Sequence, residues 1–161
     1  MANDFEPFRG RASLVDRLVD RDPLRPGEAR PLRMLNRRNF KASLRRDLSW
    51  LLNTRSPLPG SEFDAAELTV VDFGIPDFGA MSPANPEDRT LMARRLTRAV
   101  QAFEPRLDRV RFLVEAAAAD VRRMVATLEA DMLVGRIREP VSFRTVFHAG
   151  TGDWEVHDRQ L

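Results

Sequence analysis

The chain has no cysteine, no tyrosine, one lysine and two histidines in 161 residues. Without cysteine there is no disulfide, no thiolate metal site and no cysteine nucleophile, which fits a cytoplasmic location without requiring one. His148 and His157 face each other across an expected hairpin, with no carboxylate set at ligand spacing, so they read as surface residues. No serine lies suitably near a histidine for a nucleophilic triad. Walker-type and dinucleotide-type glycine loops are both missing. The Asp72-Phe73-Gly74 triplet lacks the glycine-rich and His-Arg-Asp loops that would make it a kinase motif. No cofactor or small-molecule substrate is therefore expected. No run of 18 apolar residues occurs, so membrane insertion is not expected, and the first residues lack the basic-then-apolar pattern of an export signal.

What the chain has is arginine. It supplies 25 of the 26 basic residues, against 24 acidic ones, for a net charge of +2. Residues 1–60 carry 13 basic and 7 acidic side chains, residues 61–90 carry 1 and 7, and residues 91–161 carry 12 and 10. A basic start beside an acidic middle suggests internal compensation more than a nucleic-acid surface. Planar guanidinium forks suit interfaces with carboxylates.

The length suits one domain with its own core. Residues 1–10 lack periodicity and read as a mobile arm. Leu14, Val15, Leu18 and Val19 mark one face of a short helix, with Ser13 and Asp16 as a capping box. Residues 22–36, with Pro23, Pro26, Gly27 and Pro31, read as a loop. A helix follows from about Asn39 to Asn53, with Phe40, Leu44, Leu48, Leu51 and Leu52 as its apolar stripe and Trp50 at its flank. A short helix is expected around Asp64–Val71, anchored by Leu68 and Val71. Residues 72–78 form a turn in which Gly74 takes a positive φ and Phe73 and Phe78 pin it to the core. Asn85-Pro86-Glu87-Asp88 starts a helix: a side-chain cap, a proline at the first position and two acids at the positive end. Its stripe is Leu91, Met92, Leu96, Ala99, Val100 and Phe103.

Pro105 ends that helix by disfavouring helical geometry at Glu104. Beyond it, Val110, Phe112 and Val114 alternate with polar residues as in a half-buried strand. Residues 121–134 fit both a strand and a helical face, and the alanines at 116–119 favour helix. Gly135 to Pro140 turn the chain, Val141 to Phe147 form a strand, 149–152 a hairpin loop, and Trp154 to His157 a last strand. Glu104, Pro105 and Arg106 thus place two opposite charges around a rigid residue where helix gives way to strand. Glu104 with Asp108 is the one pair that invites a glycoside-hydrolase reading. Arg106 and Arg109 argue against it, because adjacent cations favour ionised carboxylates whereas a general acid must hold its proton. An ion pair bracing the corner, or a docking role, accounts better for the residues.

Five stretches together resemble one family. They are Ser13 to Leu18, Leu44 to Arg55, Phe73 to Phe78, Phe103 to Leu107 and Gly135 to Phe143. In this order they are similar to TssE, the small baseplate subunit of bacterial type VI secretion systems. That subunit is itself similar to the wedge protein of contractile-tail phage baseplates and carries a historical lysozyme-like label. The resemblance implies a single compact α+β domain, with N-terminal helices packed on a C-terminal, mainly antiparallel sheet. Residues 121–134 are then strand. Residues 1–35 become an arm with a short docking helix, and 36–161 the wedge domain. It implies a non-enzymatic subunit that joins TssF-, TssG- and TssK-type wedge partners and gives the contractile sheath its platform. The setting is cytoplasmic, at a baseplate docked on the inner-membrane complex. Glu104, Pro105 and Arg106 map without substitution onto the corner that meets the family's wedge bundle. The alternative from another class is a muramidase with Glu104 as general acid.

Overall fold

In the computed structural model, residues 8–18, 34–116, 123–148 and 151–159 are described. In chain order the elements are β1 (Gly10–Arg11), α1 (Leu14–Leu18), β2 (Met34–Leu35), α2 (Arg37–Leu52), α3 (Gly60–Ala65), α4 (Pro86–Phe103), β3 (Leu107–Ala116), β4 (Arg123–Val134), β5 (Ile137–His148) and β6 (Asp153–Arg159). Strands β3 to β6 form an antiparallel meander in sequence order, and α2 and α4 cover it. This is the expected α+β layout, with helices first and the sheet after.

Local chemistry explains most boundaries. The Asn36 side chain accepts the Asn39 N–H at 2.9 Å, so α2 begins two residues before the expected start. The Asn85 side chain accepts from the Glu87 N–H, and Pro86 opens α4 as the sequence predicts. Phe40, Leu44, Leu48, Leu51 and Leu52 of α2 meet Met92, Leu96, Ala99 and Val100 of α4 in one core. Val110, Phe112 and Val114 of β3 and Met124, Ala126, Leu128 and Met132 of β4 form its floor. Residues 123–134 are strand throughout, which resolves the ambiguous stretch in favour of alternation. The 117–122 segment, with most of the alanine run, lies outside the described residues, as do residues 1–7, Val19, the 22–33 loop and 149–150.

Several expectations need correction. The end of the supposed arm is part of the fold: Phe8 packs edge-on against Phe40 at 5.6 Å, and Gly10 pairs with Leu35 in a two-residue ladder. The helix expected at Asp64–Val71 lies earlier, at α3. The chain extends at Ala66, and a separate 3-10 turn spans Val70–Asp72. Thr69 and Asp72 cap that turn reciprocally, which is why it restarts there. Val71 is therefore 76 % exposed rather than an anchor. The turn after β4 is only Gly135 and Arg136, and Pro140 lies inside β5 opposite Asp131. Nor do the histidines face each other: His148 pairs with Asp153 and His157 with Arg144.

Gly74 does take a positive φ, +128°, in the loop that ties Arg55 to Ile75. Ser56 N–H donates to Ile75 O and Ile75 N–H to Thr54 O, both at 2.9 Å. Phe78 is buried there as expected, while Phe73 stays half exposed against the Phe103 ring. A Cβ on Gly74 would sit 2.5 Å from Thr54 O and 2.8 Å from Ser56 N, both backbone atoms. Gly74→Ala is expected to cost about 2–3 kcal/mol, since the clash adds to the strain of a left-handed non-glycine residue. A urea melt checks it, and an unchanged midpoint would contradict the loop geometry.

Candidate docking site

Helix α4 stops at Phe103, and Glu104 leaves it at φ −124°, ψ 78°, its N–H still bonded to Val100 O at 2.9 Å. That conformation turns the Glu104 carboxylate back toward α2, where it is 4 % exposed. Arg106 closes on it across Pro105. Its Nε donates to Glu104 Oε1 at 2.6 Å, its Nη2 to Oε2 at 2.5 Å, and its backbone N–H to Oε1 at 3.2 Å. The same guanidinium reaches α2, with Nη2 on Asp47 Oδ2 at 2.6 Å and Nη1 on Ser43 Oγ at 3.0 Å. It also lies over the Phe40 ring, 5.7 Å from its centroid.

The network runs on to the N-terminus. Ser43 accepts from Arg106 and donates its hydroxyl proton to Asp16 Oδ2 at 2.6 Å. Arg46 bridges Asp47 at 2.7 Å and Asp16 at 2.6 Å. Asp16 and Ser13 form the expected capping box of α1. Three carboxylates and two guanidiniums thereby join α1, α2 and the end of α4. Burial pushes Asp16 up, but hydrogen bonds from Arg46, Ser43 and Ser13 win and hold it well below the usual carboxylate range. Burial likewise pushes the Arg106 guanidinium down, and its bonds to Glu104 and Asp47 raise it overall.

Above this network lies a groove of about 390 Å³, walled by Leu14, Trp50, Phe73, Phe103 and Pro105. Leu14, Trp50 and Phe73 are among the exposed large hydrophobics, and Leu18 on α1 is another. Ser13, Asp47, Glu104 and Arg106 of the network line the same groove beside the ring of Pro105. The sequence pointed to the three corner residues. It did not single out Ser43, Asp47 and Arg46, whose spacing of three and four along α2 marks one helical face and was the available signal.

The other sequence candidates separate. Asp108 does not approach Glu104; it pairs with Arg138 and accepts the Arg109 N–H at 2.9 Å. Arg109, at φ +52°, sits in a β-bulge and reaches Asp131 on β4. His148 and His157 both lie beside Glu155, at 3.2 and 3.1 Å, and His157 chiefly holds that carboxyl below its ordinary value. Among the described residues no group of side chains has metal-holding geometry, and no helix is long and apolar enough to cross a membrane.

The corner acid is locked in an arginine fork beside an apolar trough, on a meander covered by two helices. Comparison with known families places the chain: residues 38–135, more than half of it, match the family described as Baseplate wedge protein gp25. The chain belongs to that family. The match spans α2 to the end of β4 and so includes the corner, while α1, β5 and β6 lie outside it. Comparison with curated proteins gives no match.

Acid stability tests the network. A carboxyl depressed on folding stabilises fully above its unfolded value, about 3.9, and that contribution is lost as pH falls through the lower folded value. Asp16→Asn is expected to lose about 2 kcal/mol at pH 7, where its hydrogen bonds to a cation are lost. The variant should also show a shallower fall in urea midpoint than the wild type below pH 4. Parallel acid limbs would remove Asp16 from the network.

Proposed function

We propose that the chain is the TssE-type subunit of a type VI secretion baseplate, a non-enzymatic part that joins the wedge and gives the contractile sheath its starting platform. Membership of the wedge family supports the assembly role, and the five ordered motif stretches support the secretion-system branch. In this reading residues 1–35 are the N-terminal arm that carries the short docking helix α1, and the Glu104-Pro105-Arg106 corner meets a helical bundle of TssF- and TssG-type partners, with a TssK-type subunit in the same wedge. The setting is the cytoplasmic side of the inner-membrane complex.

One observation carries the reading at the corner. The Glu104 carboxylate is buried and filled by Arg106, while the trough beside Pro105 is apolar and open. A muramidase acid must present its proton to a glycosidic oxygen in a cleft with a second carboxylate. Glu104 is buried in the grip of the Arg106 guanidinium, and Asp108 is paired elsewhere. An apolar surface on a stiff base suits a protein partner, whose affinity comes from a few anchored side chains.

The test is co-purification with the wedge subunits. Leu14→Ser changes an exposed side chain and should leave the melting temperature nearly unchanged, Trp50→Ala also removes the ring under Arg46 and costs about 1 kcal/mol, and both should weaken capture roughly tenfold or more. Glu104→Gln and Arg106→Ala should weaken capture too, with stability losses of about 2–4 kcal/mol from the partner left buried. None should affect cell-wall glycan, because the wild type should not cleave it. Glycan turnover abolished by Glu104→Gln alone would overturn the proposal in favour of the muramidase.

A further inference from the structure

Helix α4 has a polar face as well as its core stripe. Ala93, Arg94, Thr97, Arg98 and Gln101 recur along it at spacings of three and four, clear of Met92, Leu96, Ala99 and Val100. With Asp64 of α3 and Phe112 of β3 they line an open pocket of about 470 Å³. The Thr97 hydroxyl accepts the Phe112 N–H at 3.3 Å and so ties the helix to the strand there.

Charge in this pocket is unbalanced. Arg95, beside it, donates to both oxygens of Asp64 at 2.8 to 3.2 Å, and Arg94 adds one bond at 3.2 Å. Arg98 donates instead to the carbonyls of Phe63 and Ala66, which carry no net charge. Among the described residues Arg98 makes no ion pair, so three guanidiniums stand against one carboxylate. Among them, too, Nη1 of Arg98 and both Nε and Nη1 of Arg94 have no hydrogen-bond partner. Arg94 stands at the rim, 66 % exposed. Ala93 and Phe112 add an apolar wall to these donors.

We propose that this pocket receives an acidic side chain of another wedge subunit, held by Arg94 and Arg98 with its carbon chain against Ala93 and Phe112. Two guanidiniums one helical turn apart suit a carboxylate, which accepts two parallel N–H bonds from a planar fork. The incoming charge supplies the counter-ion that Arg98 lacks. All seven lining residues lie inside the segment that matches the baseplate wedge family, which favours a wedge subunit as the source of that carboxylate. The inference rests on the assembly role above and adds a second surface to it. The pocket shares no lining residue with the corner trough, so the two can be occupied together.

The experiment measures capture of the whole chain by the purified wedge subunits of the same apparatus. Gln101 is exposed at the pocket and makes no hydrogen bond among the described residues, so its charge can be changed without removing a contact. Gln101→Glu and Gln101→Lys should both keep the melting temperature nearly unchanged, since the three residues have similar helix propensity. Gln101→Glu should weaken capture roughly tenfold by repelling the incoming carboxylate. Gln101→Lys should strengthen it about threefold. The difference should shrink in about 1 M salt, where charges are screened within about 3 Å. Equal capture by the two variants, whether at the wild-type level or below it, would overturn the pocket. If Leu14→Ser still loses capture in that case, the assembly role stands without it. No capture of the unaltered chain would instead remove the assembly reading. A response to charge at Gln101 seen only with the purified sheath subunit would overturn the wedge subunit as occupant.

Discussion

Everything at the corner depends on the Arg106 guanidinium. Among the described residues it alone touches the end of α4, the face of α2 and, through Ser43, the carboxylate of α1. A fork with five donors in fixed directions can serve Glu104, Asp47 and Ser43 at once; a lysine ammonium could not hold the bidentate geometry. Pro105 sets the reach. With its φ fixed, Glu104 and Arg106 leave the backbone on the same side and close a ring two residues apart. The corner's stiffness is therefore covalent and electrostatic together.

The abundance of arginine takes on a structural meaning from this pattern. Arg94 and Arg95 hold Asp64, and Arg95 chiefly keeps that carboxyl below its usual range. Arg98 bonds the carbonyls of Phe63 and Ala66 at the end of α3, where unsatisfied acceptors need a donor. Arg37 reaches Glu139, Arg109 reaches Asp131 and Arg138 reaches Asp108. These are staples between elements, many at the surface and worth little each. Compensation between the basic first third and the acidic middle rests, among the described residues, on the single pair Arg55–Asp77. The acidic middle is answered mainly from within α4. Charge segregation along a sequence shows a surplus but not its partner, because helices bring distant segments together.

The same distinction explains what was legible beforehand. Helix starts at Asn85 and Pro86, the stop at Pro105 and the alternation of β3 follow from local rules, and they stand. The α+β order and the strand at 123–134 also stand, although periodicity alone left the latter open and only the family resemblance favoured strand. Other features were hidden because they depend on contacts distant in sequence. Gly10 belongs to the fold through Leu35, and Asp16 is buried through Arg46 and Ser43, which lie about 30 residues away. Val71 looked like an anchor because it is apolar, yet the Thr69–Asp72 cap starts a turn that points it outward. The corner was found by residue type, but its orientation was not: opposite charges around a proline suggest a pair offered to partners, and here they satisfy each other.

That inward pairing changes what Glu104 and Arg106 can contribute to recognition. Charges already bonded to each other have little attraction left for a third group, and exposing them would leave a buried partner uncompensated. Under the proposed docking role, their effect is to fix the angle between α4 and β3 and the seat of α1, and so to shape the trough of Leu14, Trp50, Phe73, Phe103 and Pro105. In that role recognition reads shape and apolar area, and the ion network sets the shape. One wall, α1, is a five-residue helix too short to persist alone and held chiefly by Asp16. The α1 wall of the trough is therefore held by the network. This is why a residue outside the matched family segment, Asp16, belongs to the same working unit as Glu104 and Arg106.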